Sequence, residues 1–411
     1  MSKFAAYRSG KHLHPSDLRA AAQLTTQAVL GASQIAEELH QTFWSTLGFR
    51  GGEQPGQARG ITGMFYRTFN ELTRMVGSGV DSVLTLIEPD LPCEDGSPQR
   101  ESVIAALNGV MGDKLAATNN PLATRMSIRY EGQAIDWRSP PDPDVASSKV
   151  LLLIHGLCMS ELQWHTGYHD GANDYGSVLA KTRGYTPLYL RYNSGLHISD
   201  NGWELANQLE TLHDYWATPV QEISVLAHSM GGLLIRSAVY QAQQAGMHWP
   251  ERLKNIVFLG TPHHGAPLEQ AGNWLEGILR KLPYAAPFAN LGQVRSAGIT
   301  DLRHGHVLAE DWHGQDRYQR IPDQRRHLPL PEGVACHTIA ATTAPRRNDL
   351  MARLLGDGLV LLPSALGQHT DPSRSLSFAE EAQWIACRMN HMALLNHPRV
   401  LRKLLRWLPA H

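Results

Sequence analysis

Ser229 sits in Ala227-His-Ser-Met-Gly-Gly232, between a run of buried-strand character (Ile223, Val225, Leu226) and one that reads as helix (Leu233, Leu234, Ile235, Val239). A serine pinned there by small neighbours has the form of a nucleophile elbow, G-x-S-x-G with alanine at the first position. The small residues have a steric purpose. Strand and helix approach so closely that bulky side chains two positions either side of the serine would collide. The turn strains the serine backbone and carries Oγ to its tip. A helix starting at Met230 aims its first N–H groups at the same point, where they stabilise developing negative charge.

A serine hydroxyl is a poor nucleophile near neutral pH, so it needs a base, and the base needs an acid to orient it. The best acid is Asp357 in Gly356-Asp-Gly-Leu-Val360, where flanking glycines free the backbone of a loop just past a strand. Asp301 and Asp311 are rivals, both in a less regular stretch. The best base is His391 in Met389-Asn-His-Met-Ala-Leu-Leu395, just before a final helix, where a loop histidine can swing over the serine. His397 is the near rival, though the proline after it marks a helix start. With 21 histidines in the chain, position rather than residue type must carry this choice. For the oxyanion, Met230 offers the N–H after the nucleophile. A second donor comes from His155-Gly-Leu-Cys158 at the end of the run Val150–Ile154. Gly156 permits a turn that aims the Leu157 N–H inward, with Cys158 the weaker candidate. Cys158 is not read as a nucleophile, because no base is visible near it.

These residues need a scaffold, and from Lys149 onward the pattern supplies one. Short apolar runs at Val150–Ile154, Pro187–Leu190, Ile223–Ala227, Ile256–Leu259 and Cys336–Ala340 have the uninterrupted character of fully buried parallel strands. Helix-like stretches such as Trp203–Trp216 and Leu233–Gln244 lie between them. The expected fold class is therefore α/β, a doubly wound, mostly parallel sheet. Alternation over Met126–Tyr130 and Ala134–Trp137 about Gly132 suggests a hairpin leading into it.

Two regions break the rhythm. Residues 1–125 read as a helical region, with candidates from Ser16 to about Leu47, Gly60 to about Leu86 and Gln99 to about Leu115. Each is apolar on one face only, so those faces must be buried, on each other or on the catalytic domain assigned to 126–411. Within that domain, 266–332 reads as a cap or lid insertion. Its stripe Trp274, Leu275, Ile278, Leu279 and Leu282 follows soon after a strand end, where it could line an acyl pocket. The chain closes with an amphipathic helix after Pro398.

Taken together, the elbow, the strand-end His155-Gly-Leu157 and Leu259-Gly-Thr-Pro-His-His-Gly-Ala266 resemble the α/β-hydrolase superfamily. Within it they are similar to the lipase and esterase branch that includes PGAP-type (inositol-deacylase-like) esterases and triacylglycerol lipase-like proteins. The likeness covers about Lys149 to Trp407. It implies the chain order Ser, Asp, His for the triad, which Ser229, Asp357 and His391 satisfy. Ala227 replaces the first glycine of the elbow, a swap some lipases of this branch share.

The expected activity is hydrolysis of carboxylic esters through an acyl-enzyme, on a small-molecule or lipid ester. Two alternatives remain: an acyltransferase using the same triad, and a non-catalytic binding or scaffold protein working through its N-terminal helices. A net charge of −1 gives no field for nucleic acid. No dinucleotide or phosphate loop is present, so no cofactor is called for, and adjacent His263 and His264 lack the carboxylate spacing of a metal site. Peripheral contact with a lipid surface and the oligomeric state stay open. Scattered cysteines (Cys93, Cys158, Cys336, Cys387), no apolar leader and no segment of membrane-spanning length point to a cytoplasmic protein. Ser229→Ala is expected to abolish fluorophosphonate labelling and nearly all ester hydrolysis while circular dichroism stays unchanged. Labelling that persists places the nucleophile elsewhere.

Overall fold

Lys149-Val-Leu-Leu-Leu-Ile154 has apolar side chains pointing both ways, and only a strand covered on both faces can bury them. The computed structural model describes residues 98–165, 174–265, 296–314, 323, 325–346 and 356–408, and there the run is a strand with both faces covered. The strands are β1 (Ser127–Tyr130), β2 (Gln133–Ala134), β3 (Lys149–Ile154), β4 (Thr186–Arg191), β5 (Glu222–His228), β6 (Leu253–Leu259), β7 (Ala335–Thr342) and β8 (Gln383–Cys387). They form one eight-stranded sheet in the order β2-β1-β4-β3-β5-β6-β7-β8. β1 runs antiparallel to β2 and β4, and the pairs from β4 through β3 to β8 are all parallel.

The helices that cover the sheet are α1 (Pro98–Ala117), α2 (Tyr175–Arg183), α3 (Ile198–Tyr215), α4 (Met230–Ala245), α5 (Ala297–His304) and α6 (Pro398–Trp407). Alternate residues of β3 face opposite ways. Leu151 and Leu153 join a core with side chains of α1, α2, α5 and α6, while Val150, Leu152 and Ile154 join one with side chains of α3 and α4.

The structure adds to the sequence pattern and adjusts it. α3 begins at Ile198, five residues before the Trp203 at which the sequence pattern starts it. Gly202, just before that point, is the small residue at which α3 meets α4, where a Cβ would collide with Ser237. β8 lacked a clear apolar run, since it is an edge strand with a mostly half-buried pattern. The hairpin's second arm is only two residues long. Within the segment 266–332, α5 and the residues after it are part of the main core, with Leu302 and Leu308 buried. The first two N-terminal helix candidates and the stripe Trp274–Leu282 lie outside the described residues.

α1 is more closely fitted to the sheet domain than an amphipathic cover needs to be. Arg191 of β4 bonds Glu161 through Nε at 2.8 Å and Glu101 of α1 through Nη1 at 2.5 Å, and Arg129 of β1 pairs with Glu161 at 3.1 Å. Half-buried charges of this kind position elements more than they stabilise them. Gly109 and Gly112 let the helix backbone touch the loops after β3 and β4. A Cβ on Gly109 would collide with Cys158 Sγ and lie 2.8 Å from that residue's Cα and N, and one on Gly112 would collide with Asn193. Backbone cannot yield as a side-chain tip can. Gly109→Ala should therefore cost about 1–3 kcal/mol in chemical denaturation. An unchanged midpoint would mean that α1 is not held against this loop.

Candidate active site

β5 ends at His228 and α4 begins at Met230, so Ser229 alone makes the turn. Its φ of 54° and ψ of −123° lie where a side chain is strained. The surroundings hold it there. The Ser229 N–H donates to the Leu259 carbonyl at the end of β6 at 2.9 Å, and the Ser229 carbonyl accepts from Gly232 N–H at 3.0 Å. The small residues act as the sequence implies. A Cβ on Gly231 would lie 2.8 Å from the His155 carbonyl oxygen, and one on Gly232 would meet Thr261 and Phe258. Gly156, at the end of β3, would bring a Cβ within 3.0 Å of Ser229 Cβ, so the turn after β3 faces the serine directly.

Asp357 and His391 are joined. The buried Asp357 carboxylate accepts Leu359 and Val360 N–H groups on Oδ1 at 2.9 and 2.8 Å, which leaves Oδ2 for His391 Nδ1 at 2.6 Å. Gly356 and Gly358, with φ of 53° and 89°, allow that tight loop. The His391 N–H also donates to the Asp357 carbonyl at 3.2 Å. The imidazole lies over Gly260, where a Cβ would be 3.1 Å from ring atoms Cε1 and Nδ1. Gly260 follows Leu259, whose carbonyl binds the serine, so histidine and serine both lie at the adjoining C-terminal ends of β5 and β6. With Nδ1 donating to Asp357, Nε2 is the imidazole's acceptor, and among the described residues it has no hydrogen-bond partner.

His228 braces this arrangement. Its ring is 4.6 Å from that of His391, and its Nε2–H donates to the His391 carbonyl at 3.2 Å. Burial, with His391 beside it, holds His228 well below the usual imidazole range, so it stays neutral. In the turn after β3, the Cys158 N–H is committed to Ser194 Oγ at 3.0 Å, which leaves Leu157 as the candidate donor there. Burial pushes the Cys158 thiol up, away from reactivity. Met230 opens α4, so its N–H has no carbonyl four residues back within the helix.

The rivals are occupied elsewhere. Asp301 accepts from His197 Nδ1 at 2.9 Å and Ile198 N–H at 2.8 Å. Asp311 accepts from the N–H groups of Val307, Leu308 and Arg326. His397 caps α6 by accepting from Arg399 N–H at 3.1 Å. Trp274, Leu275 and Ile278 lie outside the described residues. Sequence reasoning missed the support under the turn after β3. Tyr192 stacks on His155 at 4.3 Å and donates its hydroxyl to the His155 carbonyl at 3.0 Å, and Ser194 holds Cys158. The available signal was the polar turn Tyr192-Asn-Ser-Gly195 directly after an apolar strand.

The strand order, with one antiparallel hairpin leading a parallel sheet and a serine elbow after β5, decides the architecture. The chain is an α/β-hydrolase by fold. Residues 146–326 match the model of the PGAP1-like alpha/beta domain, rather less than half of the chain. No curated protein matches the sequence. Among solved structures it is similar to the Bacillus licheniformis lipase BlEst2 in mature form. That match has 17% identity and a TM-score of 0.42, and covers 69% of this chain and 98% of that one. Aspergillus fumigatus lipase B matches at 12% identity and TM-score 0.40, covering 93% and 83%. The RedJ thioesterase of Streptomyces coelicolor matches at 15% and 0.36, covering 67% and 95%. No described helix is long and apolar enough to cross a membrane.

Neutral histidines under this site make the fold's stability depend on acid. Burial lowers His155 to about 4, against a free value near 6.5. The folded state therefore binds fewer protons than the unfolded one between these values. The contribution of His155 is full above pH 6.5 and is lost as pH falls toward 4, on the order of 3 kcal/mol in all. Denaturation midpoints should decline below about pH 6.5. His155→Phe, which keeps the stack on Tyr192, should show a shallower decline, and an equal slope would remove His155 from the account.

Proposed function

We propose that this α/β-hydrolase cleaves carboxylic esters, in the manner of a lipase or esterase, through Ser229, His391 and Asp357. The observation that carries the reading is the 2.6 Å pair between Asp357 and His391 set beside a serine whose backbone is strained at the tip of a strand–helix turn. His391 Nε2 takes the proton from Ser229 Oγ as that oxygen attacks the ester carbonyl. Asp357, held by two backbone N–H groups, fixes the tautomer that leaves Nε2 free and stabilises the imidazolium that forms. The N–H groups of Met230 and Leu157 receive the negative charge on the carbonyl oxygen. The tetrahedral intermediate collapses when His391 returns the proton to the departing alcohol. Water, deprotonated by the same imidazole, then attacks the acyl-enzyme, and the acid and Ser229 are released.

In this reading residues 126–411 form the catalytic unit, and the region 1–125 lies outside it except that α1 supports the turn carrying Leu157. The acyl chain is assigned to an apolar wall from Trp274, Leu275 and Ile278. Each buried methylene is worth about 0.8 kcal/mol, so medium-chain esters should be preferred to acetate.

The test is a panel of p-nitrophenyl acyl esters run on wild type and Asp357→Asn. The asparagine can keep the bonds from Leu359 and Val360 through its oxygen, but it offers an N–H to Nδ1 and so imposes the wrong tautomer. kcat should fall by about 10³–10⁴-fold for every ester, with little change in KM or melting temperature. Turnover within a few-fold of wild type would remove Asp357 from the mechanism.

A further inference from the structure

Arg236 is carried on α4 seven residues after Ser229, two helical turns along and on nearly the same face, about 10 Å farther down the axis. It is buried, with 5% of its surface exposed. Nη2 donates to the Leu328 carbonyl at 2.5 Å, but Nε has no hydrogen-bond partner among the described residues. Nor does any described carboxylate come within ion-pair distance of it. Burial and the nearby Arg325 lower its guanidinium to about 10. Asp311 acts on it only from beyond ion-pair distance, and burying an arginine without a direct ion-pair partner is costly.

The same small cavity, about 30 Å³, is lined by Arg236, Arg325, Arg326, Arg374, His263 and His264 and by no carboxylate. Asp323, beside it, engages Arg325 and Arg374, each at 2.7 Å. Arg325 also donates Nη1 to the Gly305 carbonyl at 3.0 Å, and Arg374 donates Nη2 to the Arg325 carbonyl. Both guanidiniums are thus fixed at the rim, with one carboxylate between these two of the four. Arg326 turns to the Tyr240 hydroxyl at 2.6 Å. His263 is 1% exposed, and neither of its ring nitrogens has a partner among the described residues. Its ring is wedged between Phe258 and Phe378, at 4.8 and 5.5 Å, so it is held in place by apolar contact alone. A neutral imidazole still offers one N–H.

We propose that this cavity is an anion site, separate from Ser229, which takes one phosphate group through Arg236 Nε, His263 and the rim guanidiniums of Arg325 and Arg374. The donors approach from α4, from the loop after β6 and from the segments at 325 and 374. A tetrahedral phosphate has oxygens for all of these directions, whereas a carboxylate has two in one plane. At about 30 Å³ the cavity excludes a sugar or base, and it seats roughly two of the phosphate oxygens while the others face the rim guanidiniums. A free phosphate and the phosphate headgroup of a larger molecule whose remainder extends past the rim share this chemistry.

Isothermal titration of the full chain at constant ionic strength tests this, with inorganic phosphate in one arm and glycerol 3-phosphate in the other. One equivalent per chain is expected. Arg236→Gln should weaken binding at least tenfold. His263→Phe, which keeps the packing on Phe258 and Phe378, should weaken it several-fold. Fluorophosphonate labelling of both variants should persist, which separates this site from the ester chemistry. If Arg236→Gln does not fold, His263→Phe and Arg374→Gln decide the matter. Tenfold tighter binding of glycerol 3-phosphate assigns a headgroup, and equal or weaker binding assigns free phosphate. Failure of the wild type to bind either, or binding unaltered in the folded variants, overturns the proposal.

Discussion

The close crossing of β5 and α4 at Ser229 is the constraint on which the rest depends. A non-glycine residue at φ 54° persists only where its neighbours leave it no alternative. Here the bond to Leu259 ties the serine to the next strand, while Gly156, Gly231 and Gly232 leave no room for it to move aside. The same closeness places the first N–H groups of α4 and the turn after β3 around one point. The sheet's parallel order then delivers the His391 and Asp357 loops to that edge, because both follow strands whose C-terminal ends lie there.

A second layer of contacts gives that edge its rigidity. Tyr192 and Ser194, from the loop after β4, hold the turn after β3 by its backbone. Behind that turn stands α1, brought to backbone contact by Gly109 and tied to β4 through Glu101 and Arg191. The helix that precedes the sheet in sequence is thus part of the frame around the proposed oxyanion donors. His155 and His228, buried and neutral, fill the space between these layers. Their polar atoms join backbone carbonyls at 2.8 and 3.2 Å, so they act as shaped spacers with one directed bond each.

The polar interior is unevenly resolved. Around Asp357 every carboxylate oxygen has a donor, whereas Arg236 Nε and both ring nitrogens of His263 are buried with no hydrogen-bond partner among the described residues. Both regions branch from α4 and the loop after β6, one at the head of the helix and the other two turns along. Open nitrogens occur at both ends: His391 Nε2 beside Ser229 is the base that the proposed reaction uses, and Arg236 Nε and His263 are the donors that the proposed anion would engage.

Much of this was legible without coordinates. Apolar runs too continuous for half-exposed strands imply a sheet covered on both faces, and small residues around Ser229 imply a turn with no room for side chains. Gly-Asp-Gly and the histidine before the last helix stand out because loops at strand ends carry distinctive local chemistry. Local chemistry could not show which pairs meet. Asp301 stays a rival to Asp357 in sequence, and only the fold gives one to His197 and the other to His391. Gly202 is explained only by Ser237 of α4 lying against it, and β8 carries no clear apolar run because an edge strand needs none. Gly109 carries no signal of its own, since its reason for being small is Cys158, nearly fifty residues away. Local pattern determined the elements and the residue types at their ends. Long-range contact decided their partners, because burial and hydrogen bonding are properties of surfaces that the chain brings together only when it folds.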